Sequence, residues 1–260
     1  MTIRVGIGGW TFEPWRGVFY PPKLPHAREL AHAAERLTAI EVNGTYYRSQ
    51  TEATFRKWAS EVPDHFVFAL KGPRYATQRG RLAEAGPSVS RFFESGVTAL
   101  GRKLGPVLWQ FAPTKTFDPE DVEAFLALLP REVDGRRIRH VVEPRHASFV
   151  TPDFVAMARA HGVAIVLAES DEYPMIADLT ADFAYLRLQR ARDVETGYDA
   201  KGLDAWAGHA RTLASGRVPA ELGRIADAAE PGRRDVFAFF ISGEKVRNPA
   251  AAQALIARLG

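Results

Sequence analysis

Eight short apolar runs punctuate this chain, most of them spaced so that a helix fits before the next. They are IRVGIGGW from Ile3, TAIEVNG from Thr38, FVFALKG from Phe66, PVLWQF from Pro106, IRHVVEP from Ile138, VAIVLAES from Val163, FAYLRLQR from Phe183 and DVFAFFIS from Asp235. Val, Ile and Phe dominate them, as in strands covered on both faces. Eight such units in 260 residues predict an α/β fold, a single-domain (β/α)8 TIM barrel. Barrels of this kind carry their chemistry at the C-terminal ends of the strands, and most of these runs end on or next to polar residues.

The intervening segments read as ordinary helices. Candidates are Ala27 to Leu37, Thr51 to Ala59, Ser90 to Lys103, Pro119 to Leu129, Pro152 to His161, Leu203 to Ser215 and Pro249 to Leu259. Asp118-Pro119 and Asn248-Pro249 each have the form of an N-cap followed by proline in the first turn, and Gly162 is placed to stop a helix. Two spacings are irregular. About twenty residues separate the starts of the sixth and seventh runs, too few for a full helix, and about fifty separate the seventh and eighth. The sixth helix is therefore expected to be reduced, and one domain spanning 1–260 is expected to carry an insertion around 190–234.

Composition narrows the function classes. With 46% hydrophobic and 25% charged residues, the chain can bury a full core. Nothing in it has the layout of a secretory signal or the length of a membrane span, so no membrane association is expected. The absence of cysteine excludes disulfides, thiolate metal sites and a cysteine nucleophile, and fits a cytoplasmic protein. A net charge of +3 permits an anionic ligand without requiring one.

Side chains alternate across a strand, so facing the small and polar positions inward yields a first set of site residues. On this reading the second run directs Ala39, Glu41 and Asn43 to the barrel axis. The third directs Val67, Ala69 and Lys71 inward, the fourth Gln110, the fifth Glu143 and Arg145, the seventh Arg187 and Gln189, and the eighth Ala238, Phe240 and Ser242. Gly6 and Gly8 leave space where the barrel narrows. Two carboxylates and three cations gather at one lip, and such groups must either pair or await a ligand. The plainer account is a self-satisfied network that fixes barrel register.

Four stretches carry a family resemblance: GIGGWTFEPWRGVFYP from Gly6, IEVNGTYYRSQTEATFRKWASEVPDHFVFALKGPRYAT from Ile40, GPVLWQFAPTKTF from Gly105 and VVEPRHASF from Val141. In order and spacing they resemble the YecE-like proteins, the family catalogued as domain of unknown function 72 (DUF72). The resemblance implies a barrel of the triosephosphate-isomerase type and no defined reaction. It matches the family's recurring polar and aromatic positions at Trp10, Trp15, Tyr20, Glu41, Asn43, Tyr46, Tyr47, Lys71, Gln110, Glu143, Arg145 and His146. The chain departs from the family in two places. Gln189-Arg190 stands where a histidine and glycine tend to follow the seventh strand, and Ile241-Ser242 where paired asparagines tend to follow the eighth.

Glu41 and Glu143 are candidates for general acid and base if their surroundings separate their pKa values. Lys71 and Arg145 would stabilise charge, with Lys71 expected to partner Glu41 or substrate oxygens. Trp10, Asn43, Tyr46, Tyr47, Gln110, His146 and Gln189 are candidate substrate contacts. Glycosidase chemistry is disfavoured, since Gln110 and Gln189 stand where common barrel glycosidases carry their carboxylates. Of seven histidines only His146 directly follows a strand, so no metal site is expected, and a carboxylate site of Glu41, Glu143 and Glu169 would compete with Lys71 and Arg145. No cofactor is expected either. Phosphate often sits at the loops after strands seven and eight, which here offer Arg190, Arg192, Ser242, Gly243 and Lys245. Two readings follow: a metal-independent acid/base hydrolase or lyase acting on a small or oligomeric anionic substrate, or a nucleic-acid-binding barrel. The second would use Arg48, Arg56, Lys57, Arg74, Arg79 and Arg81 on phosphates, with Trp10, Trp15, Tyr46, Tyr47 and Tyr75 against bases.

Overall fold

In the computed structural model, which describes residues 2–260, parallel pairing closes the eight runs into a ring. The strands are β1 (Ile3–Gly8), β2 (Ala39–Val42), β3 (Val67–Lys71), β4 (Leu104–Gln110), β5 (His140–Glu143), β6 (Ala164–Glu169), β7 (Phe183–Leu188) and β8 (Asp235–Phe240). Each pairs with its neighbour in sequence, and β8 closes on β1 from Ile3↔Val236 to Ile7↔Phe240. The molecule is a (β/α)8 barrel.

The α-helices are α1 (Glu29–Ala34), α2 (Gly44–Tyr47), α3 (Glu52–Ser60), α4 (Arg74–Thr77), α5 (Gly86–Glu94), α6 (Pro119–Ala127), α7 (Pro152–His161), α8 (Ala200–Ala214) and α9 (Asn248–Leu259). The caps on α3, α6 and α7 follow from sequence: Thr51, Asp118 and Thr151 accept from the backbone N–H three residues on, and Gly162 ends α7 at φ 65°. Residues 170–182, between β6 and β7, form no helix. The long segment before β8 holds α8 and a one-turn 3-10 helix, Ala220–Leu222.

Two expectations are corrected at the helices. The Ser90 to Lys103 candidate is broken, because Gly96 (φ 91°) and Gly101 (φ 60°) turn the chain into 3-10 geometry after Glu94. Asn248 is not an N-cap. It is the first residue of α9, and its Nδ2 donates back to the Ser242 carbonyl at 3.3 Å.

The apolar core has two layers separated by the strands. Val5, Ile7, Ile40, Val42, Phe68 and Leu70 face the helices, while Ala39, Val67, Ala69, Leu108, Val141 and Val166 fill the barrel. On β8 the expected parity is reversed: Phe237, Phe239 and Ile241 point inward, and Ala238 and Phe240 outward. The reason is volume. Gly6 is paired with both Phe239 and Ala39, and a Cβ on Gly6 would stand 1.9 Å from the Ala39 carbonyl oxygen. Lacking side chains at Gly6 and Gly8, β1 cedes the barrel centre to the rings of Phe239 and Tyr185, whose centroids lie 5.1 Å apart.

Candidate functional site

The inward parity of β2, β5 and β7 brings Glu41, Glu143 and Arg187 to the upper barrel, where both carboxylates are 0% exposed. Arg187 crosses the lumen to reach them. Its Nε donates to Glu41 Oε2 and its Nη2 to Glu41 Oε1, each at 3.1 Å, while Nη1 donates to Glu143 Oε1 at 2.6 Å. Tyr185, two residues earlier on the same face, donates its hydroxyl to Glu41 Oε2 at 2.8 Å. A planar guanidinium with fixed donors is suited to such a bridge, and a single ammonium is not.

Lys71 therefore makes no direct ion pair with Glu41, whose charge reaches it only through space. Its Nζ donates to Gln110 Oε1 at 3.1 Å and lies 4.3 Å from the centre of the Tyr46 ring. Gln110 in turn donates its Nε2 to Glu143 Oε2. Burial, reinforced by the charge of Arg187, lowers the Lys71 pKa from 10.5 to about 8. Burial pushes the Glu143 carboxyl up, but Arg187 and Arg145 outweigh it and hold the pKa at about 2. Arg145 stands over the Tyr173 ring at 4.2 Å and 3.4 Å from Glu143 Oε2, and its buried Nε makes no hydrogen bond.

With Glu143 ionised at every ordinary pH and Glu41 saturated by Arg187 and Tyr185, the two carboxylates form a fixed anionic scaffold. Glu143, held ionised, is not poised as a general acid. Glu169 stays outside this cluster: it falls on the helix-facing side of β6, accepting from Tyr198 Oη at 2.5 Å and Trp206 Nε1 at 3.0 Å. Among the described residues, no group of three or more His, Asp or Glu side chains is arranged to hold a metal ion.

The remaining candidates divide between the mouth and its surroundings. Asn43 reaches the mouth beside Gly8, where its Nδ2 would lie 3.2 Å from an added Cβ. Tyr46 lies under Lys71, and Tyr47 packs edge-on against Tyr46 at 5.1 Å and is exposed. Trp10 is packing: it meets Trp58 edge-on at 5.1 Å. Trp15 is fully buried. His146 caps a 3-10 turn by accepting from the Ser148 N–H at 3.2 Å.

The loops after β7 and β8 form a separate place. Gln189, Arg190 and Gly243 line an open hollow of about 630 Å³ alongside α8. Its arginines have partners: Arg190 with Asp171 at 2.8 Å and Arg192 with Asp199 at 3.4 Å. Ser242 is exposed at φ 63°, and Lys245 rests its Nζ 4.3 Å from the Phe12 ring centre. These contacts engage Arg190, Arg192 and Lys245. The reading of sequence missed Tyr185 and Tyr173. Tyr185 could have been found by extending the parity of Arg187 back two residues, whereas Tyr173 lies in a loop that gave no signal.

The model of a protein family described as "protein of unknown function DUF72" matches residues 4–260. The chain belongs to the DUF72 family. Over 157 residues it is 27% identical to the UPF0759 protein YunF of Bacillus subtilis, covering 58% of this chain and 54% of that one, so the match spans about half of YunF. A crystal structure of a DUF72 protein from Thermotoga maritima superimposes with TM-score 0.70 at 22% identity, over 98% of this chain and 97% of that one. Another, from Enterococcus faecalis, gives 0.72 at 15% identity over 99% and 95%. At these identities the DUF72 structures establish the shared fold alone. Among the described residues of this DUF72 barrel, no helix is long and apolar enough to cross a membrane.

Proposed function

We propose that this DUF72 protein is an acid/base enzyme for a carboxylate- or phosphate-bearing substrate, with Lys71 at the barrel mouth as its proton carrier. The observation that carries this reading is the setting of Lys71: it is buried, its pKa lies at about 8, and among the described residues its one hydrogen-bond partner is the amide oxygen of Gln110. A group titrating this near neutrality can give or take a proton at ordinary pH. The excess of three cations over two carboxylates in the cluster supports the choice of an anion. Glu41, Arg187 and Glu143 hold the cations of the mouth in place, a preorganised field that needs no rearrangement during reaction.

Sulfate is a suitable probe because its charge is constant from pH 7 to 10. Calorimetric titration should show saturable binding at pH 7 that weakens as pH rises through about 8 and Lys71 loses its proton. Lys71→Met should abolish it while the far-ultraviolet circular dichroism spectrum is unchanged. Binding indifferent to Lys71→Met, or none at either pH, would remove the basis of this reading.

A further inference from the structure

We infer that the anionic substrate is a single-stranded nucleic acid, led to the mouth across the loops that follow β2 and β3. The inference rests on the reading of the mouth as the working site and adds the class of molecule. Residues 43–50 and 72–91 contain Arg48, Arg74, Arg79, Arg81 and Arg91 against a single acid, Glu84. Arg48, Arg81 and Arg91 are exposed and enter no ion pair among the described residues. This differs from the β7 and β8 loops, where arginines are matched by aspartates.

The same quadrant exposes aromatic rings. Tyr47 and Tyr75, at 62% and 61% exposure, are the aromatic side chains among the exposed large hydrophobics of the described residues. Arg74 sits 5.3 Å from the Tyr75 ring centre and within electrostatic range of Tyr46 and Tyr47. Tyr46 packs on Tyr47 and carries Lys71 above its ring. A run of rings and cations thus leads from the outer surface to the proton carrier. Beside it lies a cleft of about 130 Å³ with Phe55, Pro73 and Phe92 as apolar walls and Ser49, Gln50 and Arg91 among its polar lining. Flat apolar walls with hydrogen-bonding groups suit one planar heterocycle.

Phosphates spaced along a strand match free arginines, and each base offers a face to a tyrosine ring. A duplex keeps those faces stacked inside and would leave Tyr47 and Tyr75 unused. Four residues from the nucleic-acid expectation leave this surface: Arg56 pairs with Glu52 on α3, Lys57 lies 3.8 Å from Glu61, Trp10 packs on Trp58 and Trp15 is buried. Arg91 joins it.

The test is fluorescence anisotropy with a labelled thymidine strand of about twelve nucleotides, against the same-length duplex and heparin. The strand should bind more tightly than either. Its affinity should fall with salt at a log–log slope of about −3, for roughly four neutralised phosphates. Tyr47→Ala and Tyr75→Ala should each weaken binding about tenfold or more, and Arg74→Ala with Arg91→Ala should flatten the slope. No strand binding alongside Lys71-dependent sulfate binding overturns this inference and leaves the acid/base reading standing. Duplex and heparin binding as tightly as the strand, with both tyrosine variants unaffected, overturns it in favour of a general polyanion or acidic-protein surface. Strand binding without any sulfate site overturns the mouth reading and the strand's status as substrate with it.

Discussion

At the residue scale, Arg187 and Lys71 are both buried cations, yet their removal should have opposite effects. Arg187 neutralises Glu41 and Glu143, and taking it away leaves two dehydrated carboxylates with Arg145, 3.4 Å from Glu143, as the one remaining ion-pair partner among the described residues. Arg187→Met should lower stability by about 3–5 kcal/mol in urea unfolding, and Arg187→Lys should recover only part of that, since an ammonium cannot make the bidentate contact. Lys71 neutralises nothing directly. Its pKa falls from 10.5 to about 8, equivalent to roughly 3 kcal/mol against the charged form, so Lys71→Met should keep or raise the melting temperature at pH 7. A Lys71→Met variant less stable than the parent would mean that its ammonium supports the carboxylates after all.

At the scale of the elements, β1 and β2 approach too closely for any side chain at Gly6. Gly6→Ala should force the pair apart at the level of Ala39 and destabilise the fold by about 3 kcal/mol, seen as a lower urea midpoint with an unchanged slope. Loss of Lys71-dependent sulfate binding should accompany it, because Glu41 lies two residues beyond Ala39 on the same strand. The strands were legible because alternation and β-branched runs record burial directly, and parity alone assembled Glu41, Lys71, Gln110, Glu143 and Arg187. It failed on β8, where every side chain from Val236 to Phe240 is apolar and alternation carries no information about which face is inside. Pairing was less legible than position. That Arg187, and not Lys71, would take Glu41 depends on reach across the lumen, which a linear pattern does not encode. Arg190 of the β7 loop invited a phosphate reading because its aspartate partner, Asp171, comes from another loop.

At the scale of the whole molecule, acid and alkaline limbs of stability should have different origins. Glu143 is depressed from 4.5 to about 2, so its contribution is present above pH 4.5 and is lost as pH falls toward 2. Buried His140, whose pKa burial lowers to about 4, is held neutral between Trp109 Nε1 and the Pro130 carbonyl, so stability should already decline from pH 6.5 toward 4. Lys71 acts in the other direction: its folded pKa lies below its unfolded one, so this site gains stability as pH rises from about 8 to 10.5. Differential scanning calorimetry of Glu143→Gln should show a lower melting temperature at pH 7 and a flatter decline between pH 4.5 and 2. An acid limb identical to the parent's would place the acid sensitivity elsewhere.

The span of the Arg187 bridge bears on how the protein is made. Glu41 lies 146 residues and Glu143 44 residues ahead of the arginine that bridges them, so during translation both acids leave the ribosome before that bridge can form. A nascent chain stopped ahead of β7 has to keep those two side chains hydrated, which prevents the early strands from closing over them. Consolidation of the barrel is thereby deferred until the C-terminal third emerges.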